Sequence, residues 1–85
     1  MQFSIGQSVV HFIDADRAKV DPTYPYAVGV IKALPQDDND YYQIDWTFKA
    51  SKEEGLKTIS ASYPGSVLVP FDREVPNEWY EQLVE

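Results

Sequence analysis

The chain is predicted to be mainly β: a five-stranded antiparallel barrel with a short C-terminal helix, in one domain of 85 residues. Three observations lead there. Apolar runs are short and separated by clusters of turn-forming residues. Residues 41–48 alternate strictly between apolar and polar positions, and helical spacing is confined to the last ten residues. A second hydrophobic core would not close in a chain this short.

Taken in order, Gly6 introduces a first strand over 7–13, where Val9, Val10, Phe12 and Ile13 favour extended backbone. Residues 14–25 carry charges of both signs and two prolines, and are expected to form a long exposed loop suited to binding. The second strand, 26–34, is almost wholly apolar, and Gly29 inside it suggests a bulge or sharp bend. Residues 35–40 read Pro-Gln-Asp-Asp-Asn-Asp, a turn signal, since Asp and Asn side chains bond their own backbone.

The third strand, 41–48, places Tyr42, Ile44, Trp46 and Phe48 on the core face, and Tyr41, Gln43, Asp45 and Thr47 on the other. A polar loop over 49–55 leads to a fourth strand, 56–63, with Ile59, Ala61 and Tyr63 at period two. Pro64-Gly65 suits a type II turn, and a fifth strand over 66–69 stops at Pro70. Asn77 can cap a helix over 78–84, with Glu78 and Glu81 near its start and Trp79 aligned with Leu83. The barrel is thus expected over about 5–72 and the helix, with its cap, over about 77–84.

Composition narrows the function. Hydrophobic residues make up 44% and aromatics 14%, which excludes a disordered chain. The absence of cysteine removes disulfides and thiolate ligands, and fits a reducing cytoplasm. The longest uncharged apolar run, 26–31, is far shorter than the roughly 20 residues of a spanning helix, so no membrane role is expected. Fourteen acidic residues against seven basic ones give a net charge of −7, and a pI near 4.4. The lysines and arginines form no stripe, so direct nucleic-acid binding is not expected. A basic protein partner is the sharper expectation.

Four segments carry a family cadence: Ile5-Gly6-Gln7-Ser8-Val9-Val10, Gly29-Val30-Ile31, Tyr41-Tyr42-Gln43-Ile44-Asp45-Trp46 and Ser66-Val67-Leu68-Val69-Pro70. They resemble the SH3-like small barrels of the Tudor and KOW type over about residues 5–72. The chain departs from signalling SH3 domains in its long first loop, its lack of an Ala-Leu-Tyr-Asp-Tyr stretch and its added helix. Proline-rich peptide binding is therefore not implied, and the superfold hosts binders, assembly modules and inhibitors alike.

Chemistry has little material. His11 is the sole histidine and shares strand parity with Val9 and Ile13, which makes it structural rather than catalytic. Asp37, Asp38 and Asp40 lack the glycine and terminal glutamate of an EF-hand, and read as a solvated turn. No enzyme activity, metal or cofactor is expected. Tyr24, Tyr26, Tyr41 and Tyr63 could gather with Asp38 or Asp45 as an aromatic pocket for a cation, or serve as interface anchors.

The leading expectation is a non-catalytic protein-binding module acting through Asp14, Asp16, Tyr24, Tyr26, Asp37, Asp38, Asp40, Tyr41 and Asp45. The alternative is a small acidic inhibitor or immunity-type protein that occupies the site of a basic nucleic-acid-binding enzyme, mimicking phosphate if its acidic loops converge on one face.

Overall fold

The computed structural model describes residues 3–36, 38–51 and 53–71. Five antiparallel strands and one short helix follow in the order β1 (Ser8–His11), α1 (Phe12–Val20), β2 (Val28–Ala33), β3 (Tyr41–Ser51), β4 (Gly55–Pro64), a 3-10 turn (Gly65–Val67) and β5 (Leu68–Pro70). The fold is mainly β, as the turn spacing implied. Laterally the strands run β4-β3-β2-β1-β5. The sheet is open: among the described residues β4 is not hydrogen-bonded to β5, so the closure that a barrel requires is missing. The sheet is nevertheless strongly curled, because His11 of β1 and Tyr63 of β4, with β2 and β3 between them in this order, bring their rings to 5.8 Å.

The largest departure from the sequence reading is α1, which occupies most of the stretch expected to be a loop. Its physical basis is local. Ala15 and Ala18, three residues apart, are both buried and let the helix lie close to the sheet. Asp14 in the first turn and Arg17 and Lys19 in the last suit the helix dipole. His11 is the N-cap, its Nδ1 accepting the Ile13 N–H at 3.2 Å, so its role in the fold is to end β1 and begin α1. Pro22 and Pro25 disfavour helix but fall beyond its end, where a stop belongs. A nine-residue helix is marginal alone, so packing rather than propensity holds it.

Phe12 and Ile13, placed by sequence in the first strand, therefore begin the helix. The type II turn expected at Pro64-Gly65 is a 3-10 turn, and the last strand starts at Leu68 instead of Ser66. The register shift in β2 lies between Ile31 and Ala33, not at Gly29. The expected C-terminal helix lies outside the described residues. The described helix instead follows β1.

The core has two parts, one on each side of β1. On the concave side Phe3, Val9, Ile31, Tyr42, Ile44, Trp46 and Leu68 form one cluster. On the convex side Val10 and Val28 meet Ala15, Ala18 and Tyr26, with Tyr24, Val69 and Phe71 packed around them. Val9 and Val10, adjacent and pointing oppositely, are both completely buried. Beyond that cluster the convex face carries a polar ladder, with Tyr41 and Leu56 exposed towards its two ends. Gln43 bonds Ser62 at 2.6 Å, Ser60 donates to Asp45 at 2.7 Å and Thr47 meets Thr58 at 3.1 Å, while Lys32 lies 3.9 Å from Asp45.

Gly29 is where β2 lets the core close. A Cβ there would lie 2.5 Å from Cγ2 of Ile44 and 2.9 Å from Cε3 and Cζ3 of Trp46. Replacing Gly29 with Ala is expected to destabilise the fold by about 1–3 kcal/mol through overpacking. Urea unfolding followed by circular dichroism measures this, and a midpoint unchanged from wild type would contradict it.

Candidate functional site

The β3–β4 hairpin is the longest part of the sheet, eleven and ten residues against four, six and three in β1, β2 and β5. Its apolar concave face therefore runs past the strands that could cover it. Phe48 is only half-buried and Ile59 is 52% exposed, although both lie on the core parity of their strands. Together with His11, Ala27, Tyr63 and Trp46 they line a mouth of about 180 Å³, with the half-buried Asp14 of α1 at its edge.

Aromatic contacts link the lining residues His11, Tyr63 and Trp46 to one another and to Phe12, which lies outside the lining. Phe12, 42% exposed, stacks on His11 at 5.0 Å, His11 meets Tyr63 edge-on, and Tyr63 meets Trp46 edge-on at 5.2 Å. Trp46 is 5% exposed, and its indole N–H has no acceptor among the described residues. The far edge of its six-membered ring lies over Gly29 of β2. The pyrrole nitrogen therefore sits at the opposite end of the indole, away from β2. A buried N–H left without an acceptor costs about 1–3 kcal/mol.

A second recess, of about 540 Å³, lies along the exposed end of α1 between Asp16, Arg17, Val20, Asp21 and Tyr24. Here the Tyr24 hydroxyl donates to Asp14 at 3.1 Å and accepts from Arg17 at 3.5 Å, with the guanidinium 5.7 Å above the Tyr24 ring. Asp21 closes the turn after the helix. Its carboxylate accepts the Thr23 hydroxyl at 2.7 Å and the Thr23 N–H at 3.0 Å, and these bonds hold its pKa below the ordinary 3.8, the hydroxyl first.

The residues expected to bind do not form one surface. Asp14, Asp16 and Tyr24 gather around α1. Tyr26 is 1% exposed and belongs to the convex core, packed against Phe71, so its ring is closed to a partner. Asp38 and Asp40 are exposed between β2 and β3, and the Asp40 carbonyl accepts the Gly65 N–H at 2.9 Å. Asp37 lies outside the described residues. Tyr41, 53% exposed, borders a recess with Leu34, Asn39, Gln43 and Ser62. Asp45 is held by Ser60 and Lys32 on the convex face, opposite the mouth. Tyr63 alone of the four tyrosines lines the mouth, so no cage of the four is assembled.

Sequence reasoning put Trp46 and Phe48 on the core face and Ile59 at period two in the fourth strand, and did not single out their shared end. The first four strands expected from sequence are nearly equal in length, so the end of the hairpin that outruns its neighbours is visible only in the structure. No family model matches the chain, and no curated protein and no solved structure matches it.

Because the Asp21 pKa is lowered on folding, the stability it contributes is present above its unfolded value and lost as pH falls through its folded value, below 3.8. Carboxyl-detected NMR titration should show a low midpoint for Asp21 that Thr23→Val moves back towards the ordinary value. An identical midpoint in the two proteins would rule the hydroxyl out as the cause.

Proposed function

We propose that the protein is a non-catalytic protein-binding module that takes an apolar side chain of a partner into the concave mouth. The observation that carries this reading is the recess itself, open to solvent and walled by His11, Trp46, Phe48, Ile59 and Tyr63. A partner's apolar side chain seated there is covered by the walls, which in turn bury apolar surface that the sheet leaves open. A volume of about 180 Å³ is below the ~300–1,000 Å³ typical of small-molecule sites, and suits one side chain of a larger ligand.

Asp14 and Tyr24 provide a polar rim, and Asp14 together with the net charge of −7 favours a segment that carries a basic residue beside its apolar anchor. The strand order, the curl that brings His11 to Tyr63 and the 3-10 turn before β5 support a relation to SH3-like barrels, a superfold used for many kinds of binding.

Affinity capture with the full chain, followed by measurement of Kd for each purified partner, tests the proposal. Ile59→Ser and Phe48→Ser should each weaken binding about tenfold or more, the size expected for an interface anchor. Asp38→Asn should leave it nearly unchanged. Binding through the mouth should weaken only modestly with salt, through the basic contact at the Asp14 rim, whereas an acidic inhibitor acting by charge alone would weaken steeply. A partner held equally by wild type and both serine variants would refute the proposal.

A further inference from the structure

We propose that the outer edge of β4 is a homodimer interface, pairing antiparallel with β4 of a second copy about a two-fold axis through Ile59. The sheet has two edges, β4 and β5, and they differ in how they are protected. β5 is three residues long, follows a 3-10 turn, ends at Pro70 and has α1 packed against it. These are devices that stop an edge from recruiting another strand. β4 is ten residues long, its sole charged residue is Lys57 and its sole proline is Pro64 at the very end. Among the described residues no strand pairs with its outer side.

The backbone groups on that side follow from the register. Tyr41 faces Pro64, and one step further the Gly65 N–H donates to the Asp40 carbonyl at 2.9 Å, as in a hydrogen-bonded pair. Such pairs alternate along an antiparallel ladder. The pairs Tyr42 with Tyr63, Ile44 with Ala61, Trp46 with Ile59 and Phe48 with Lys57 are therefore the bonded ones. Leu56, Thr58, Ser60 and Ser62 are left with their N–H and C=O groups directed outward. Pro64, the next outward position, has no N–H to offer.

This outward run is complementary to itself. Paired antiparallel about Ile59, Thr58 meets Ser60 of the second copy, Leu56 meets Ser62, Lys57 meets Ala61 and Ile59 meets Ile59. All four outward residues are then matched, and no like charges are opposed. Sliding the register either way leaves groups unmatched or brings Pro64 into the ladder. A two-fold axis normal to the sheet keeps faces together, so the Ser and Thr side chains continue the polar convex face and Ile59 bridges the two concave faces. The two mouths then lie side by side on one continuous sheet.

Sedimentation equilibrium of the full chain should give twice the 9.7 kDa monomer mass at high concentration. The dimer should tighten as salt rises, because each copy carries −7. Ile59→Lys sets two ammonium groups against each other at the axis and should raise the dimer Kd about tenfold or more. Thr58→Pro removes an outward N–H and should do the same. Ile5→Lys, also at an exposed apolar position but outside β4, should not. Amide exchange at Leu56, Thr58, Ser60 and Ser62 should slow as concentration rises. A monomer at every concentration, a dimer that survives both β4 substitutions, or protection of these amides independent of concentration would overturn the proposal.

Discussion

The burial of β1 on both faces is the constraint on which the structure rests. Val9 and Val10 are consecutive, point in opposite directions and are both sealed from solvent. One closes the concave core against Ile31, Ile44 and Leu68, and the other holds α1 and Tyr26 against the convex side. The strand also sits between β2 and β5, so its backbone is bonded on both edges. Only four residues long, it joins the two halves of the core, and both α1 and the curl of the sheet depend on where it lies.

That arrangement explains why the mouth forms at one end. β1 stops at His11, because the chain turns there into α1, while the hairpin of β3 and β4 continues. Among the described residues no strand covers the concave face beyond His11, and Phe48, Ile59 and Tyr63 become walls instead of core. The ring of His11 spans the gap and touches both Phe12 and Tyr63. Its cap bond to Ile13 and its place in the mouth are two consequences of one position. The buried indole of Trp46 borders the mouth from the core side.

Charge is partitioned by the same geometry. On the convex face Asp45 is matched by Ser60 and Lys32 within a ladder of hydroxyl and amide pairs, a surface already satisfied by its own chain. Around α1 the carboxylates of Asp14 and Asp21 are engaged with Tyr24 and Thr23. Among the described residues Asp14, Asp21 and Asp45 are thus each engaged locally, and the exposed Asp38 and Asp40 sit in a separate loop.

The sequence by itself determined the β class, the five strands and the core face of β3, because alternation at period two is written into 41–48 and turn residues punctuate the chain. Tyr42, Ile44 and Trp46 are buried where that alternation put them. It did not reveal α1, whose signal is two alanines among mixed charges and whose stability comes from docking on Val10. Nor could it tell that Tyr26 would be core while Ile59 would be exposed, since both are apolar residues in apolar strands. Only the tertiary structure decided this, because exposure at a strand's end depends on how far its neighbours reach. The open sheet, the mouth and the free edge of β4 all follow from those differences in strand length.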